Sequence, residues 1–294
     1  MSLWRPDALL AGFESLEFSF GDDYDGAVVS TLVRLPAAAA PRGNVLYVHG
    51  FIDYFFQRHV AERFNAEGYA VHALDLRKHG RSLREHQHPN FCKSLDEYHS
   101  DITRAIETIG APVLLAGHST GGLVCALYAH EGERRGELSG LWLNSPFFDW
   151  RLPDWKRPSV HVAAAMGRYL PFLKDENTLR PDYGEGLLEH WDFDLRLKPL
   201  RGFPVYYGWI GAISDGHAKV HRGLAIACPI LSMHSDEADI VLDWRDIARW
   251  SRALGEQVVV LAFPGAVHDL TLSRPEIREE VFRQLFAWAA RLEA

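Results

Sequence analysis

The sequence predicts an α/β fold, with a mostly parallel central sheet, helices on both faces and one long insertion. Three observations lead to it. Short apolar runs, each halted by a glycine or a polar residue, read as strands buried on both faces of a sheet. Segments with apolar residues at helical spacing separate them, the alternation of βαβ units. That alternation stops after Pro146, stays absent for roughly 80 residues and then resumes.

The elements follow in order. Leu16–Phe20 and Ala27–Leu35 read as an opening hairpin about the turn-rich Gly21-Asp22-Asp23, and Ala37–Ala40 as a linker. Asn44–Gly50 is the first buried strand. A helix over about 55–67 carries Val60, Ala61 and Phe64 and stops at Gly68. Tyr69–Leu74 is a strand ending at Asp75. Ser94 followed by Glu97 has the pattern of a capping box for a helix bearing Ile102, Ala105, Ile106 and Ile109. Strand Pro112–Ala116, helix Leu123–His130 and strand Leu138–Asn144 come next. After the insertion stand strand Cys228–Met233, helix Trp244–Leu254, strand Gln257–Phe263 and helix Pro275–Leu292. The core is therefore expected over 1–146 and 227–294, with 147–226 inserted.

Composition narrows the function classes. The 294 residues are 47% hydrophobic and 24% charged, as in ordinary globular proteins, and the net charge of -8 disfavours nucleic acid as a partner. Three scattered cysteines suit a reducing compartment, with Cys125 and Cys228 expected as buried small hydrophobes. The longest apolar stretch, Phe203–Ile213, is cut by Gly208 and Gly211, too short for a span that needs about 20 residues. A cytoplasmic protein without a transmembrane segment is the expectation.

The strongest chemical signal is Gly117-His118-Ser119-Thr120-Gly121, a G-x-S-x-G pattern between an expected strand and an expected helix. A sharp turn there lifts the Ser119 hydroxyl clear of the backbone, and glycine two residues away on either side relieves crowding. A serine is a weak nucleophile until a base takes its proton. Of 15 histidines, His268 stands in a loop after a late strand, where open α/β sheets place their chemistry. His217 and His221 fall in the insertion and read as surface or cap residues. His86 and His88 read as solvated rather than metal-binding, since no carboxylate or cysteine stands at ligand spacing. The third member is a carboxylate that steadies the imidazolium. Asp236, Glu237 and Asp239 compete after the strand ending in His234, with Asp243 further along. The apolar pair Ile240-Val241, able to anchor the loop, favours Asp239; Asp236 stays open. Backbone N–H groups of Phe51 and Thr120 are the expected donors to a developing oxyanion. No cofactor or metal site is expected.

With these residues the chain resembles the α/β-hydrolase superfamily, and within it the serine-aminopeptidase-like branch that holds monoacylglycerol lipases and lysophospholipases. The matching segments are His49-Gly50-Phe51, Asp75-Leu76-Arg77-Lys78-His79-Gly80-Arg81-Ser82, Gly117–Gly122, Asp239 and His268. Two positions depart from the pattern. Lys78 stands where glycine is usual, and Ser235 replaces a glycine that the branch commonly places three residues before its aspartate, where Ala238 now falls. The resemblance implies a cap at 147–226 and hydrolysis of a small hydrophobic ester through Ser119, His268 and Asp239. The aromatic residues of the insertion, among them Trp150, Trp155, Tyr169, Phe172, Trp191 and Trp209, read as the cap's own core and in part as an apolar pocket wall. An amide hydrolase would need an acid to capture a substrate amine, for which Asp175, Glu176 and Glu185 are candidates. A non-catalytic binding protein would show a damaged triad. Dehalogenase or epoxide-hydrolase chemistry would want aspartate at 119.

Overall fold

The computed structural model describes residues 4–37, 40–176 and 181–292, so part of the expected linker, Ala38 and Ala39, lies outside the described residues. Its elements are β1 (Arg5–Pro6), β2 (Glu14–Asp23), β3 (Gly26–Leu35), β4 (Gly43–Val48), α1 (Arg58–Ala66), β5 (Tyr69–Asp75), α2 (Glu97–Ile109), β6 (Val113–His118), α3 (Thr120–Glu131) and β7 (Leu138–Asn144). The inserted stretch adds α4 (Arg157–Gly167), β8 (Lys174–Asp175), α5 (Pro181–Leu188), β9 (Val205–Tyr206) and α6 (Tyr207–His221). The chain closes with β10 (Ile230–His234), α7 (Trp244–Ser251), β11 (Val258–Ala262) and α8 (Pro275–Ala289).

The main sheet has the order β1-β2-β3-β5-β4-β6-β7-β10-β11. From β5 to β11 the neighbours run parallel, while β1, β2 and β3 extend it antiparallel beyond β5. Side chains of a strand alternate between faces. Leu46 and Val48 of β4 and Leu115 of β6 therefore join the core under α2, α3 and α6. Val45, Tyr47, Leu114 and Ala116 join the opposite core with Phe64 of α1 and Phe282 of α8. Helix α3 is buried from Thr120 to Ala129, as its apolar sequence demands of a central helix.

The order also locates the site. The chain lays β5 on one side of β4 and β6 on the other, so connections leave β4 and β6 in opposite directions. A crevice opens outside the carboxyl ends of two such strands. The residues at those ends are His49-Gly50-Phe51 and Ser119.

Several boundaries differ from expectation for identifiable reasons. Gly21, at φ 76°, sits in a register shift between Ser19 and Asp22, so the first hairpin runs on to a turn at Tyr24-Asp25. Phe55 and Phe56 are not helical, since their N–H groups go to Asp75 Oδ1 (2.8 Å) and Gln57 Oε1 (3.1 Å). The Ser94 capping box is half formed. Glu97 accepts the Ser94 N–H at 3.2 Å, but the serine hydroxyl takes Asp96 N–H in a turn before α2. Cys92 and Cys125 are buried, whereas Cys228 is only partly so. No helix among the described residues is long and apolar enough to cross a membrane.

Candidate active site

Ser119 occupies the turn from β6 into α3 at φ 52° and ψ -118°, a conformation that costs a non-glycine residue about 1–3 kcal/mol. Its neighbours hold it there. Ser119 N–H donates to Asn144 O at 3.0 Å, and Ser119 O accepts Phe147 N–H at 3.0 Å. Both flanking glycines are obligatory on packing grounds. A Cβ at 117 would stand 2.5 Å from Gly121 O, and one at 121 would stand 2.2 Å from His49 O. The serine is half-buried, so its hydroxyl is reachable.

His268 places Nε2 3.0 Å from Ser119 Oγ and Nδ1 2.8 Å from Asp239 Oδ2. An acceptor-only carboxylate at Nδ1 selects the tautomer protonated there, which leaves the Nε2 lone pair for the serine proton. Asp239 is 2% exposed, and its other oxygen accepts Val241 N–H at 2.7 Å and Leu242 N–H at 3.0 Å. Burial alone would raise its pKa. The His268 imidazole and those two N–H groups outweigh burial and hold the carboxyl below the usual aspartate range.

The competing acids are engaged elsewhere. Asp236 accepts Ala238 N–H (3.1 Å) and Gly265 N–H (3.0 Å), tying the acid loop to the start of the His268 loop. Glu237 is exposed beside Arg245, and Asp243 caps α7 by accepting Arg245 N–H at 2.9 Å. The anchoring expected of Ile240-Val241 holds for one of the two. Val241 is partly buried against the core beside buried Leu242, and both donate N–H groups to Asp239, whereas Ile240 is 43% exposed.

Opposite the serine, Gly50 lies so close that a Cβ would meet Ser119 Cβ at 3.2 Å. Buried His49 accepts Leu76 N–H at 3.1 Å through Nε2, and Ile52 adopts φ 52°, so this loop is fixed rather than free. Among the described residues, the turn and loop hydrogen bonds leave the N–H groups of Phe51 and Thr120 without a partner. The Phe51 ring stacks on Trp209 of α6 at 4.0 Å, and Trp209 meets Trp150 edge-on at 6.0 Å. Behind the loop, Asp75 and Arg81 form a buried brace. Arg81 pairs with Asp75 (2.9 Å) and Asp7 (2.8 Å) and donates to Phe55 O. Lys78 is fully buried against Asp23 at 2.8 Å and over the Tyr24 ring at 4.1 Å, which accounts for a lysine where glycine is usual.

Of the other histidines, His86 is exposed as expected, and His217 and His221 lie in α6 of the inserted stretch. His217 is buried, with Nε2 2.9 Å from Phe147 O, and burial lowers its pKa to about 4. His221 stacks on Trp250 at 3.8 Å. His88 is 2.6 Å from Asp25 rather than simply solvated. Asp96, His99 and Glu131 are close enough to hold a cation, but Lys219 already sits 2.6 Å from Glu131, and none of them borders the serine. Sequence reasoning missed five side chains around the site. Tyr183 of α5 accepts Asp269 N–H at 3.1 Å, Lys198 pairs with buried Asp53 at 2.6 Å, and Asn144 contacts Asp269. The first two come from a stretch without strand rhythm, where the sequence offers no positional signal.

The model of the family described as "Serine aminopeptidase, S33" matches residues 39–274. A monoacylglycerol lipase of Mycolicibacterium smegmatis is 28% identical over 250 residues, covering 80% of this chain and 84% of the relative. Phospholipase YtpA of Bacillus subtilis is 32% identical over 252 residues, covering 84% and 94%. The crystal structure of a monoacylglycerol lipase from Paleococcus ferrophilus superposes with a TM-score of 0.73 at 26% identity, covering 89% of this chain and 99% of that one. The chain belongs to the serine aminopeptidase S33 family of α/β-hydrolases.

Proposed function

We propose that this protein is a serine ester hydrolase in which Ser119 is the nucleophile, His268 the general base and acid, and Asp239 the carboxylate that steadies the imidazolium. The observation that carries the reading is a single imidazole bridging Ser119 Oγ at 3.0 Å and Asp239 Oδ2 at 2.8 Å. His268 Nε2 takes the hydroxyl proton as Ser119 Oγ bonds to the ester carbonyl carbon. The carbonyl oxygen becomes an oxyanion facing the Phe51 and Thr120 N–H groups, each donor worth about 3 kcal/mol when well placed. The imidazolium returns its proton to the leaving alcohol, which departs and leaves an acyl-enzyme. Water repeats the sequence and frees the acid and the serine.

The substrate class we propose is a monoacylglycerol-like or lysophospholipid-like ester, with residues 147–226 as the cap. Relatives carrying the names monoacylglycerol lipase and phospholipase support this. So does the packing, because the residue that supplies one oxyanion donor lays its ring on Trp209 of the inserted stretch. Apolar surface thus begins at the reacting centre. An amine-capturing acid finds less support, as Asp175 is exposed and bonded to Tyr207 Oη at 3.0 Å. Purified protein incubated with 1-monoacylglycerol and lysophosphatidylcholine should release fatty acid, and Ser119→Ala should abolish release. Turnover of neither ester, by a protein that labels with a fluorophosphonate, would remove the substrate assignment.

A further inference from the structure

Asn144 ends β7, beside the strand that delivers Ser119, and is 1% exposed. Its backbone and its side chain serve different parts of the site. The carbonyl accepts Ser119 N–H at 3.0 Å and lies 3.1 Å from His118 Nδ1. The side chain donates from Nδ2 to Asp269 Oδ1 at 2.7 Å, while its Oδ1 accepts Leu270 N–H at 3.1 Å. Asp269 follows His268 directly and is itself 1% exposed. That carboxylate also accepts Thr271 N–H (3.0 Å), Thr271 Oγ1–H (2.7 Å) and, on its other oxygen, Gln57 Nε2–H (3.3 Å).

We infer that Asn144 is a positioning residue, whose carbonyl fixes the Ser119 turn while its amide fixes the His268 loop through Asp269 and Leu270, so that one residue sets the Ser119–His268 separation. The inference rests on the triad reading above. Its chemistry is specific to an amide. One end must donate to a carboxylate and the other accept from an N–H, so the surroundings leave no freedom in which way Asn144 points. A buried carboxylate left short of a donor is costly, and the loop would move to satisfy it. Misplacing a catalytic group by about 1 Å can cost on the order of 100-fold in rate. Nothing in the brace touches substrate, so the loss should fall on kcat.

The test uses the full chain, a soluble ester such as p-nitrophenyl butyrate, and the rate of Ser119 phosphonylation by a fluorophosphonate. Asn144→Ala should lower kcat and the phosphonylation rate together by about 30-fold, with KM within about threefold. Asp269→Ala removes the same link from the other side, and if Asn144 acts through Asp269 the double variant should be no more than about threefold slower than the slower single variant. A folded Asn144→Ala protein with more than half the parent kcat overturns the inference, as does a double variant in which the two losses multiply. If Asn144→Ala does not fold, the near-isosteric Asn144→Leu is read by the same criteria, and failure of both to fold overturns the inference by making Asn144 a requirement of folding. A parent protein that leaves Ser119 unlabelled sinks the triad reading instead, and the two failures are thereby told apart.

Discussion

Three buried polar side chains, Asp239, His268 and Asp269, meet at the candidate site at the scale of residues, and each has a definite partner. The sequence placed Ser119 and His268 because each follows a strand at the carboxyl edge of the sheet. It preferred Asp239 but kept Asp236 open because both lie in one loop, and the fold shows Asp239 facing the imidazole. Asp239→Asn should cut kcat by about 10⁴-fold, since an amide can present its donor to Nδ1 and favour the wrong tautomer. Asp236→Asn should stay within a few-fold, and steady-state kinetics on the two variants compares them directly. Asn144 and Asp269 were illegible, because a lone polar residue at a strand end or in a loop fits many roles.

Asp269 also carries a pH prediction. Burial pushes its carboxyl up, but the neighbouring His118 and the bonds from Thr271 and Asn144 prevail and hold it below the usual 3.8. A depressed folded value means that its contribution to stability is complete above the unfolded value and disappears as pH falls through the folded one. Asp269→Asn should therefore be less stable than the parent at neutral pH and lose less on acidification from about pH 5 to pH 2. Urea melts across that range check the sign, and equal slopes would contradict it.

Elements position these residues by rigid, local means. The turn at Ser119 needs glycine at 117 and 121 for lack of space, a requirement readable in the motif itself. The loop over residues 75–82 was legible as a family-like segment, but its pairing with Asp7 near the N-terminus was not. Replacing Arg81 by Met would strand two buried carboxylates, Asp75 and Asp7, and should cost about 3–5 kcal/mol in chemical denaturation. Boundaries were the least legible feature. The first hairpin turn moved because Gly21 forms an irregularity inside the strand instead of ending it, and α1 starts late because side chains of Asp75 and Gln57 claim the N–H groups before it.

At the scale of the whole molecule, the strand order brings the loops after β4 and β6 together, and the inserted stretch is bonded to the core at several points. Trp191 donates to Leu272 O at 3.0 Å, Tyr54 accepts Asp194 N–H at 2.7 Å, and Lys198 pairs with Asp53. The expectation that its aromatics form mainly a core of their own is not met. Tyr206 and Trp209 are buried in the core shared with β4, β6 and α3, Phe193 packs with Tyr54, Phe56 and Leu272, and Trp155 and Tyr169 are 76% and 86% exposed. Aromatic density alone does not say which side of a segment faces inward when no period is present. If an acyl chain enters beside Phe51 and Trp209, each added methylene should raise kcat/KM about fourfold until the pocket is filled, the equivalent of about 0.8 kcal/mol per buried group. A flat profile from butyryl to decanoyl esters would separate that apolar surface from substrate binding.

The most direct measurement is mass-spectrometric mapping of fluorophosphonate labelling on the parent, Ser119→Ala and His268→Ala proteins. Phosphonylation on Ser119 alone in the parent, its absence in Ser119→Ala and a rate lower by at least about 10³-fold in His268→Ala are the predicted results. An ester-hydrolysing parent that carries no label at Ser119, or a His268→Ala protein labelled as fast as the parent, would contradict the account.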